Sequence, residues 1–206
     1  MRMNSRIIIL TIFLFCSIGI SQDKGTKSMA REELGVAVLG GGCFWCVEAV
    51  FERVEGVKEV VSGYAGGHKK NPTYQEVTSG NTGHAEVCRI HFDPDVITYD
   101  QILEVFWQAH DPTTLNRQGN DYGTQYRSAI YYKGKGQQLS AESAMLDAKN
   151  MFDDPITTEV KPLDKFYKAE VYHQDYFRNN PNVPYCTFVI APKINKLKKE
   201  GTIWDD

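Results

Sequence analysis

The pattern of apolar and polar positions along the chain predicts one α+β domain. Apolar or alternating stretches predict strands at residues 36–39, 57–64, 83–92, 126–132 and 157–161. Helical spacing or capping signals predict helices at residues 43–54, 73–79, 98–109, 137–151 and 169–179. Between residues 36 and 132 the major elements run strand, helix, strand, strand, helix, strand. That order is typical of a ferredoxin-like two-layer plait, here with a mixed β-sheet and an irregular C-terminal tail over residues 181–186.

The first predicted helix begins directly after three glycines, at Cys43. Val47, Val50 and Val54 follow at helical spacing, and Gly56 lies where a helix would stop. A thiol at a helix N-terminus meets free backbone N–H groups and the positive end of the helix dipole. We therefore expect Cys43 to ionise more easily than a free cysteine and to act as a nucleophile.

A second cysteine, Cys46, follows Cys43 at i+3. A lone cysteine is more often a small buried hydrophobe, but the glycines, the helix start and the second cysteine favour chemistry. A Cys-x-x-Cys pair is typical either of a redox disulfide or of half a zinc site. Zinc would need two more ligands at short spacing, and the sequence has no second Cys-x-x-Cys.

The strand predicted at residues 83–92 carries a glutamate on its more apolar face. Because side chains alternate along a strand, Glu86 shares its face with Cys88, Ile90 and Phe92. A carboxyl group in apolar surroundings has a raised pKa and can donate a proton near pH 7. A glutamate at the sheet rim that pairs with a lysine is the open alternative. Cys88 is interpreted as a core residue.

The N-terminus has the features of a secretory signal peptide. Arg2 and Arg6 precede an apolar stretch over residues 7–15, and small residues favour cleavage before Gln22. We therefore expect a signal peptide at residues 1–21, a polar lead-in at 22–33 and one catalytic domain at 34–206. The protein would then be exported to the periplasm or cell envelope. An uncleaved membrane anchor is the alternative.

Composition limits the function classes. The 206 residues are 42% hydrophobic and 12% aromatic, which is typical of a globular protein, and a net charge of −3 does not favour nucleic acid as a partner. Without the signal peptide four cysteines remain, at positions 43, 46, 88 and 186. For an exported domain of this size, a working redox set is a better interpretation than a disulfide framework.

Five motifs occur in the order found in one known family. They are GGCFW at 41–45, GYAGG at 63–67, NPTY at 71–74, TGHAE at 82–86 and QGNDYGTQYRS at 118–128. With these motifs the chain resembles the A-type peptide methionine sulfoxide reductases from residue 41 to about residue 186. The resemblance implies reduction of methionine-S-sulfoxide, free or in oxidised proteins, as a repair of oxidative damage.

The resemblance also implies a role for each matched residue. Cys43 aligns with the catalytic cysteine, and Glu86 with the acid that protonates the sulfoxide oxygen. Tyr74 and Tyr126 align with tyrosines that hydrogen-bond that oxygen. Asp121 aligns with a carboxylate that orders the site, while Phe44 and Trp45 align with the aromatic wall for the substrate's S-methyl group.

Recycling is expected to use a second thiol, which condenses with the sulfenic acid on Cys43 to form a disulfide. The family often uses a cysteine in its C-terminal tail, so we favour Cys186, on a mobile segment, as the first resolving residue. Cys46 is the alternative. The implied reductant is a thioredoxin-like protein or a small dithiol, with no other cofactor and no metal, and the protein is expected to be a monomer. A thiol–disulfide oxidoreductase and a non-catalytic module that binds oxidised methionine are the competing functions.

Overall fold

Six strands form one mixed β-sheet in the order β7-β6-β1-β3-β2-β8, and two short strands form a separate hairpin. The computed structural model describes residues 33–204. The strands are β1 (Gly35–Gly41), β2 (Val57–Ala65), β3 (Ala85–Phe92), β4 (Arg117–Gln118), β5 (Asp121–Tyr122), β6 (Ser128–Tyr132), β7 (Glu159–Pro162) and β8 (Phe166–Lys168). Neighbouring strands of the large sheet are antiparallel except for β6 and β7, which are parallel.

The helices are short, and the longest has fifteen residues. They are α1 (Phe44–Phe51), α2 (Tyr74–Thr78), α3 (Tyr99–Ala109), α4 (Gly134–Ala148), α5 (Tyr176–Asn179) and α6 (Ala191–Lys199). The threonines before α2 and α3, Thr73 and Thr98, each form a reciprocal capping box with the residue three positions on. Among residues 33–204, no helix has the length and apolarity that crossing a membrane requires.

The main core lies between one face of the sheet and helices α1, α3, α4 and α6. Cys88, Ile90 and Phe92 of β3 belong to this core, whereas Ala85 and Val87 belong to a smaller cluster on the other face. The prediction that Glu86 points to the more apolar face is therefore confirmed, because it alternates with Cys88. Cys88 is fully buried, as its interpretation as a core residue requires.

The predicted α+β class and mixed sheet are confirmed, but the sheet is larger than a four-stranded plait. Its central four strands lie in the order β6-β1-β3-β2, and β7 and β8 extend it at the two edges. The sequence pattern predicts β7 but not β8. A three-residue strand between lysines gives almost no alternation to detect.

Two predictions for the C-terminal part were wrong. The helix predicted at 169–179 is a 3₁₀ turn (Val171–His173) and α5, separated by Asp175 at a φ of 52°. The tail is not irregular at Cys186, which is fully buried and begins a π-helix (Cys186–Ile190) that continues into α6. Cys186, Ile190, Ile194 and Leu197 form a buried stripe at helical spacing, a signal that the Pro- and Asn-rich residues before it concealed.

The proposed signal peptide and nearly all of the polar lead-in lie outside the described residues. The described sheet and helices lie within residues 34–206, and the limits of the expected catalytic domain stay a prediction.

Candidate active site

Cys43 is the N-cap residue of α1, as the sequence predicts. The chain reaches it through Gly42, whose φ of 93° is unfavourable for residues with a side chain. A Cβ at Gly42 would also lie 2.5 Å from the side chain of Gln118. The backbone carbonyl of Cys43 accepts hydrogen bonds from the N–H groups of Cys46 and Val47. The cysteine is thus fixed at the helix start, with 7% of its surface exposed.

The two thiols of the Cys-x-x-Cys pair interact, and the expectation of an easily ionised Cys43 is wrong for the substrate-free protein. Burial raises the pKa of Cys43, and its hydrogen bond with Cys46 raises it further. The same hydrogen bond lowers the pKa of Cys46 to about 7. The pair therefore holds its proton on Cys43 and favours the thiolate at Cys46. The burial cost outweighs the helix N-terminus that motivated the expectation.

Glu86 lies beside this pair and is 1% exposed. Its Oε2 accepts a hydrogen bond of 3.0 Å from the backbone N–H of Phe44, the residue after the cysteine. Burial raises the pKa of Glu86 to about 8, and the negative charge of Asp121 acts in the same direction, while the Phe44 N–H opposes the shift. A protonated carboxylic acid near pH 7 is what the strand pattern predicts, and the rim alternative is excluded.

Tyr74 and Tyr126 are half-buried, and Glu86 and Cys43 affect the pKa of both. Burial raises the pKa of Tyr74 to about 12 and also raises that of Tyr126, and the charges of Glu86 and Cys43 contribute to both shifts. Tyr74 begins α2, and its backbone N–H donates to Glu170 at 2.8 Å. Both phenols are therefore neutral donors near pH 7, and neither hydroxyl hydrogen-bonds another group among residues 33–204.

Asp121 lies in the β4–β5 hairpin, within the QGNDYGTQYRS motif at 118–128. The Tyr185 hydroxyl donates to Oδ2 of Asp121 at 2.6 Å and lies 3.7 Å from Sγ of Cys46. This hydroxyl thus links the carboxylate to the cysteine pair. The sequence analysis missed Tyr185, although its position directly before Cys186 could have suggested it.

The aromatic wall is larger than the predicted Phe44 and Trp45. Phe44 is 1% exposed, so the half-buried Trp45 presents the more accessible ring. Tyr176 stacks on Trp45 with ring centroids 3.6 Å apart and an interplanar angle of 5°. The indole N–H of Trp45 donates to Nδ1 of His173 at 3.1 Å. The sequence pattern did not place His173 or Tyr176 in the site; their clustering in YHQDYF at 172–177 was the available signal.

The remaining thiols make no hydrogen bond to the Cys43 thiol among the described residues. The Cys88 thiol donates to the carbonyl oxygen of Phe44 at 3.4 Å and lies 3.9 Å from the Ser62 hydroxyl, within the core. Burial raises the pKa of Cys186, and the negative charge of Cys46 raises it further. Cys186 is therefore an electrostatic neighbour of Cys46, on a helical segment rather than on a free tail.

Comparison with known proteins identifies the family. The family model described as "Peptide methionine sulfoxide reductase" matches residues 35–204. A relative from Leptospira borgpetersenii, named "Peptide methionine sulfoxide reductase MsrA", is 59% identical over 165 residues, which cover 80% of this chain and 94% of the relative.

Solved structures agree with this result. Methionine sulfoxide reductase A of Corynebacterium diphtheriae superposes with a TM-score of 0.69 and 37% identity, over 74% of this chain and 77% of its own. Reduced Mxr1 from Saccharomyces cerevisiae gives a TM-score of 0.72 and 31% identity, over 75% and 90% of the two chains. The complex of Mxr1 with Trx2 shares the fold, with a TM-score of 0.52 and 22% identity over 71% and 88%.

The family model covers almost all described residues. The residues it covers include the buried Glu86 and the Cys43 at the start of α1. The chain belongs to the peptide methionine sulfoxide reductase family.

Proposed function

We propose that this enzyme reduces the S epimer of methionine sulfoxide, free or within oxidised proteins, as a repair of oxidative damage. The observation that carries the proposal is the protonated Glu86 hydrogen-bonded to the N–H of Phe44, next to Cys43. A sulfoxide needs a soft nucleophile at sulfur and a proton at oxygen at the same time. These two side chains supply both.

In the proposed reaction the sulfur of Cys43 attacks the sulfoxide sulfur while Glu86 gives its proton to the sulfoxide oxygen. The hydroxyl group then moves from the substrate sulfur to the Cys43 sulfur as the substrate's S–O bond and the new sulfur–sulfur bond break, so methionine leaves and Cys43 remains as a sulfenic acid. The proton that Cys43 loses replaces the one that Glu86 gave, so no net proton is consumed. The cysteine is oxidised by two electrons and the substrate sulfur is reduced by two.

The surrounding groups act on the two ends of the substrate. The neutral hydroxyls of Tyr74 and Tyr126 are proposed to hydrogen-bond the sulfoxide oxygen as charge develops there. The apolar faces of Phe44 and Trp45 are proposed to hold the S-methyl group. Asp121 is proposed to order the site through Tyr185, whose hydroxyl donates a hydrogen bond to the Asp121 carboxylate.

For the recycling step the contacts favour Cys46 as the first resolving thiol, in place of Cys186. In the reduced protein the Cys46 thiol is hydrogen-bonded to Cys43, and this contact lowers its pKa to about 7. We propose that Cys46 attacks the sulfenic acid from this position. Their condensation forms the Cys43–Cys46 disulfide and releases water. Cys186, an electrostatic neighbour of Cys46, would then attack the Cys46 sulfur, release Cys43 as a thiol and leave a Cys46–Cys186 disulfide.

The proposed reductant is a thioredoxin-like dithiol, with no resident cofactor. It would supply two electrons and two protons and return the enzyme disulfide to two thiols. The complex of yeast Mxr1 with Trx2, a protein of the same fold, supports this class of partner.

The activity is tested by incubating the purified protein with each sulfoxide epimer and dithiothreitol. We expect methionine from the S epimer alone, and none with Cys43→Ser, because a serine hydroxyl is a poor nucleophile of nearly the same shape. Equal turnover of both epimers, or a tenth of the wild-type rate in Cys43→Ser, would contradict the proposal. Disulfide exchange without sulfoxide reduction would favour the thiol–disulfide oxidoreductase.

The order of resolution is tested by mapping disulfides by mass spectrometry after one turnover without reductant. Cys186→Ser should accumulate a Cys43–Cys46 disulfide, whereas Cys46→Ser should leave Cys43 as a sulfenic acid. Cys88→Ala is the matched control, since that buried thiol should affect packing but not recycling. A Cys43–Cys186 disulfide in the Cys46→Ser protein at the wild-type rate would instead support Cys186 as the first resolving residue.

Export is a separate proposal and rests on the sequence of residues 1–21 alone. Mass spectrometry of the protein from fractionated cells should find a chain that begins at Gln22 in the periplasmic or envelope fraction. A full-length chain in the membrane fraction would favour the anchor, and a full-length chain in the cytosol would contradict export.

A further inference from the structure

One buried histidine beside the aromatic wall has an unused ring nitrogen. His173 is 2% exposed, at the end of the 3₁₀ turn after β8. Its Nδ1 accepts the indole N–H of Trp45, and its buried Nε2 has no hydrogen-bond partner among the described residues. Leaving a buried polar atom unpaired is costly, so this arrangement requires an explanation.

Two other buried histidines are fully paired. His84 accepts the N–H of Gly67 at one nitrogen and lies 2.7 Å from the carbonyl oxygen of Lys69 at the other. His110 lies 2.7 Å from the carbonyl oxygen of Phe106 and 2.7 Å from the Ser128 hydroxyl. The fold can therefore satisfy both nitrogens of a buried imidazole, and it does not do so at His173.

The bond from Trp45 determines the tautomer of His173. An indole N–H can only donate, so Nδ1 of His173 must be unprotonated, and the ring proton of the neutral form lies on Nε2. Burial lowers the pKa of His173, and the negative charge of Glu170 opposes this shift. Because the pKa is lowered, the ring is neutral at pH 7. A second proton could enter only at Nδ1, where it would face the indole N–H and break the bond.

His173 also contacts the rest of the wall. Its ring centroid lies 4.3 Å from that of Tyr74, 5.1 Å from that of Phe44 and 5.6 Å from that of Trp45. It therefore touches α1, which carries the proposed methyl-binding rings, and α2, which carries a proposed oxygen donor. A change in its position would be transmitted to both.

We propose that His173 is a positioning residue that fixes Trp45 through its neutral Nε2–H tautomer, and that its protonation releases the wall. The inference rests on the proposed function only in that the wall binds substrate. The hydrogen bond and its loss on protonation are properties of the free protein. In this tautomer the buried Nε2 carries the ring proton.

None of the described groups that face His173 is expected to change its protonation state in weakly acidic solution, so His173 is the group expected to titrate there. Glu170 accepts hydrogen bonds from the Tyr74 N–H and the Tyr64 hydroxyl, which lower its pKa although burial opposes them. Tyr172, whose ring centroid lies 4.2 Å away, and Tyr74 both have raised pKa values and are neutral there. The contacts from α1 are rings without titratable groups. An acid transition below about pH 6.5 is therefore expected to belong to His173.

The test uses His173→Asn and His173→Phe. The Asn side chain can place an oxygen acceptor near the Nδ1 position but does not titrate, whereas Phe keeps a ring and removes the acceptor. With Phe we expect KM for the sulfoxide to rise about 10-fold at all pH values, with a smaller change in the single-turnover rate at saturation. With the wild type we expect KM to rise in acid, as His173 is protonated. With Asn we expect KM within about threefold of the wild type at pH 7 and no rise of KM in acid. His91→Asn, a partly buried histidine of β3, is the matched control.

A readout independent of catalysis is the ¹H–¹⁵N signal of the Trp45 indole. The chain has three tryptophans, so the signal is assigned by its absence in Trp45→Phe. In the wild type it should shift in a single acid transition, which His173→Asn should abolish and His91→Asn should retain. The proposal would be overturned if the Trp45 indole signal and the KM changed neither with pH nor with the His173 replacements. If His173→Phe does not fold, the wild-type titration and His173→Asn still decide, and these spectra need no sulfoxide reductase activity.

Discussion

Replacing Glu86 with Gln tests whether burial of one carboxyl group makes the sulfoxide reducible at neutral pH. With a pKa of about 8 in place of its ordinary 4.5, Glu86 is mostly protonated at pH 7. A carboxyl group with the ordinary pKa would be protonated only about 0.3% of the time at that pH, so burial raises the concentration of the acid form roughly 300-fold. Gln keeps the size and an oxygen acceptor for the Phe44 N–H but has no proton to give.

We expect the single-turnover rate of Glu86→Gln at pH 7 to fall by about 10²–10⁴-fold, the usual contribution of a positioned general acid. The pH dependence is more specific. Because Cys43 also titrates, the informative quantity is the ratio of wild-type to variant rates, in which the contribution of the thiol largely cancels. That ratio should be constant below pH 7 and fall about tenfold per pH unit above pH 8.

The assay is rapid mixing of reduced enzyme with saturating methionine-S-sulfoxide, without reductant, from pH 6 to pH 10, with quantification of the methionine formed. Glu48→Gln is the matched control, since Glu48 is also 1% exposed and has a pKa raised by burial. Its carboxylate accepts from the Ser62 hydroxyl and the Tyr176 N–H, outside the proposed chemistry. A Glu86→Gln rate within threefold of wild type, or a ratio independent of pH, would refute the reasoning.

The same substitution makes a prediction about stability with a definite sign. Between pH 4.5 and pH 8 the folded protein keeps a proton on Glu86 that the unfolded chain has lost, so stability falls as pH rises through this window. The shift corresponds to at most about 5 kcal/mol. Thermal unfolding should therefore show Glu86→Gln gaining in Tm relative to wild type between pH 5 and pH 9. A Tm difference that does not change over this range would place the pKa of Glu86 near its ordinary value.

Two further predictions concern residues that hold the site. Asp121→Ala should raise KM and lower kcat together in steady-state assays, because Tyr185 loses its acceptor, while Asp121→Asn should restore part of the loss; wild-type kinetics in both would remove Asp121 from the site. Gly42→Ala should lower the free energy of unfolding by about 1 kcal/mol or more in a denaturant titration, because φ is positive and Gln118 occupies the space of the Cβ; unchanged stability would show that the turn before Cys43 is unstrained.

The sequence by itself determined the elements that position the nucleophile and the acid. Period-two alternation placed Glu86 on the face of Cys88, and the three glycines with the apolar spacing after them placed Cys43 at a helix start. Both inferences depend on local periodicity, which the backbone of a strand or helix enforces wherever it lies in the fold. The limits of β2 followed for the same reason, and the start of α3 followed from the local capping signal at Thr98.

Only the tertiary structure decided the charge state of the thiols and the surroundings of Cys186. The pKa of Cys43 depends on its burial and on its contact with Cys46, and the cost of desolvation depends on all the elements that close over the site. Cys186 lies in a regular buried helix because Ile190 and its neighbours pack on the core, which local composition did not reveal. His173 joins Trp45 across 128 positions of sequence, a pairing that no local pattern encodes.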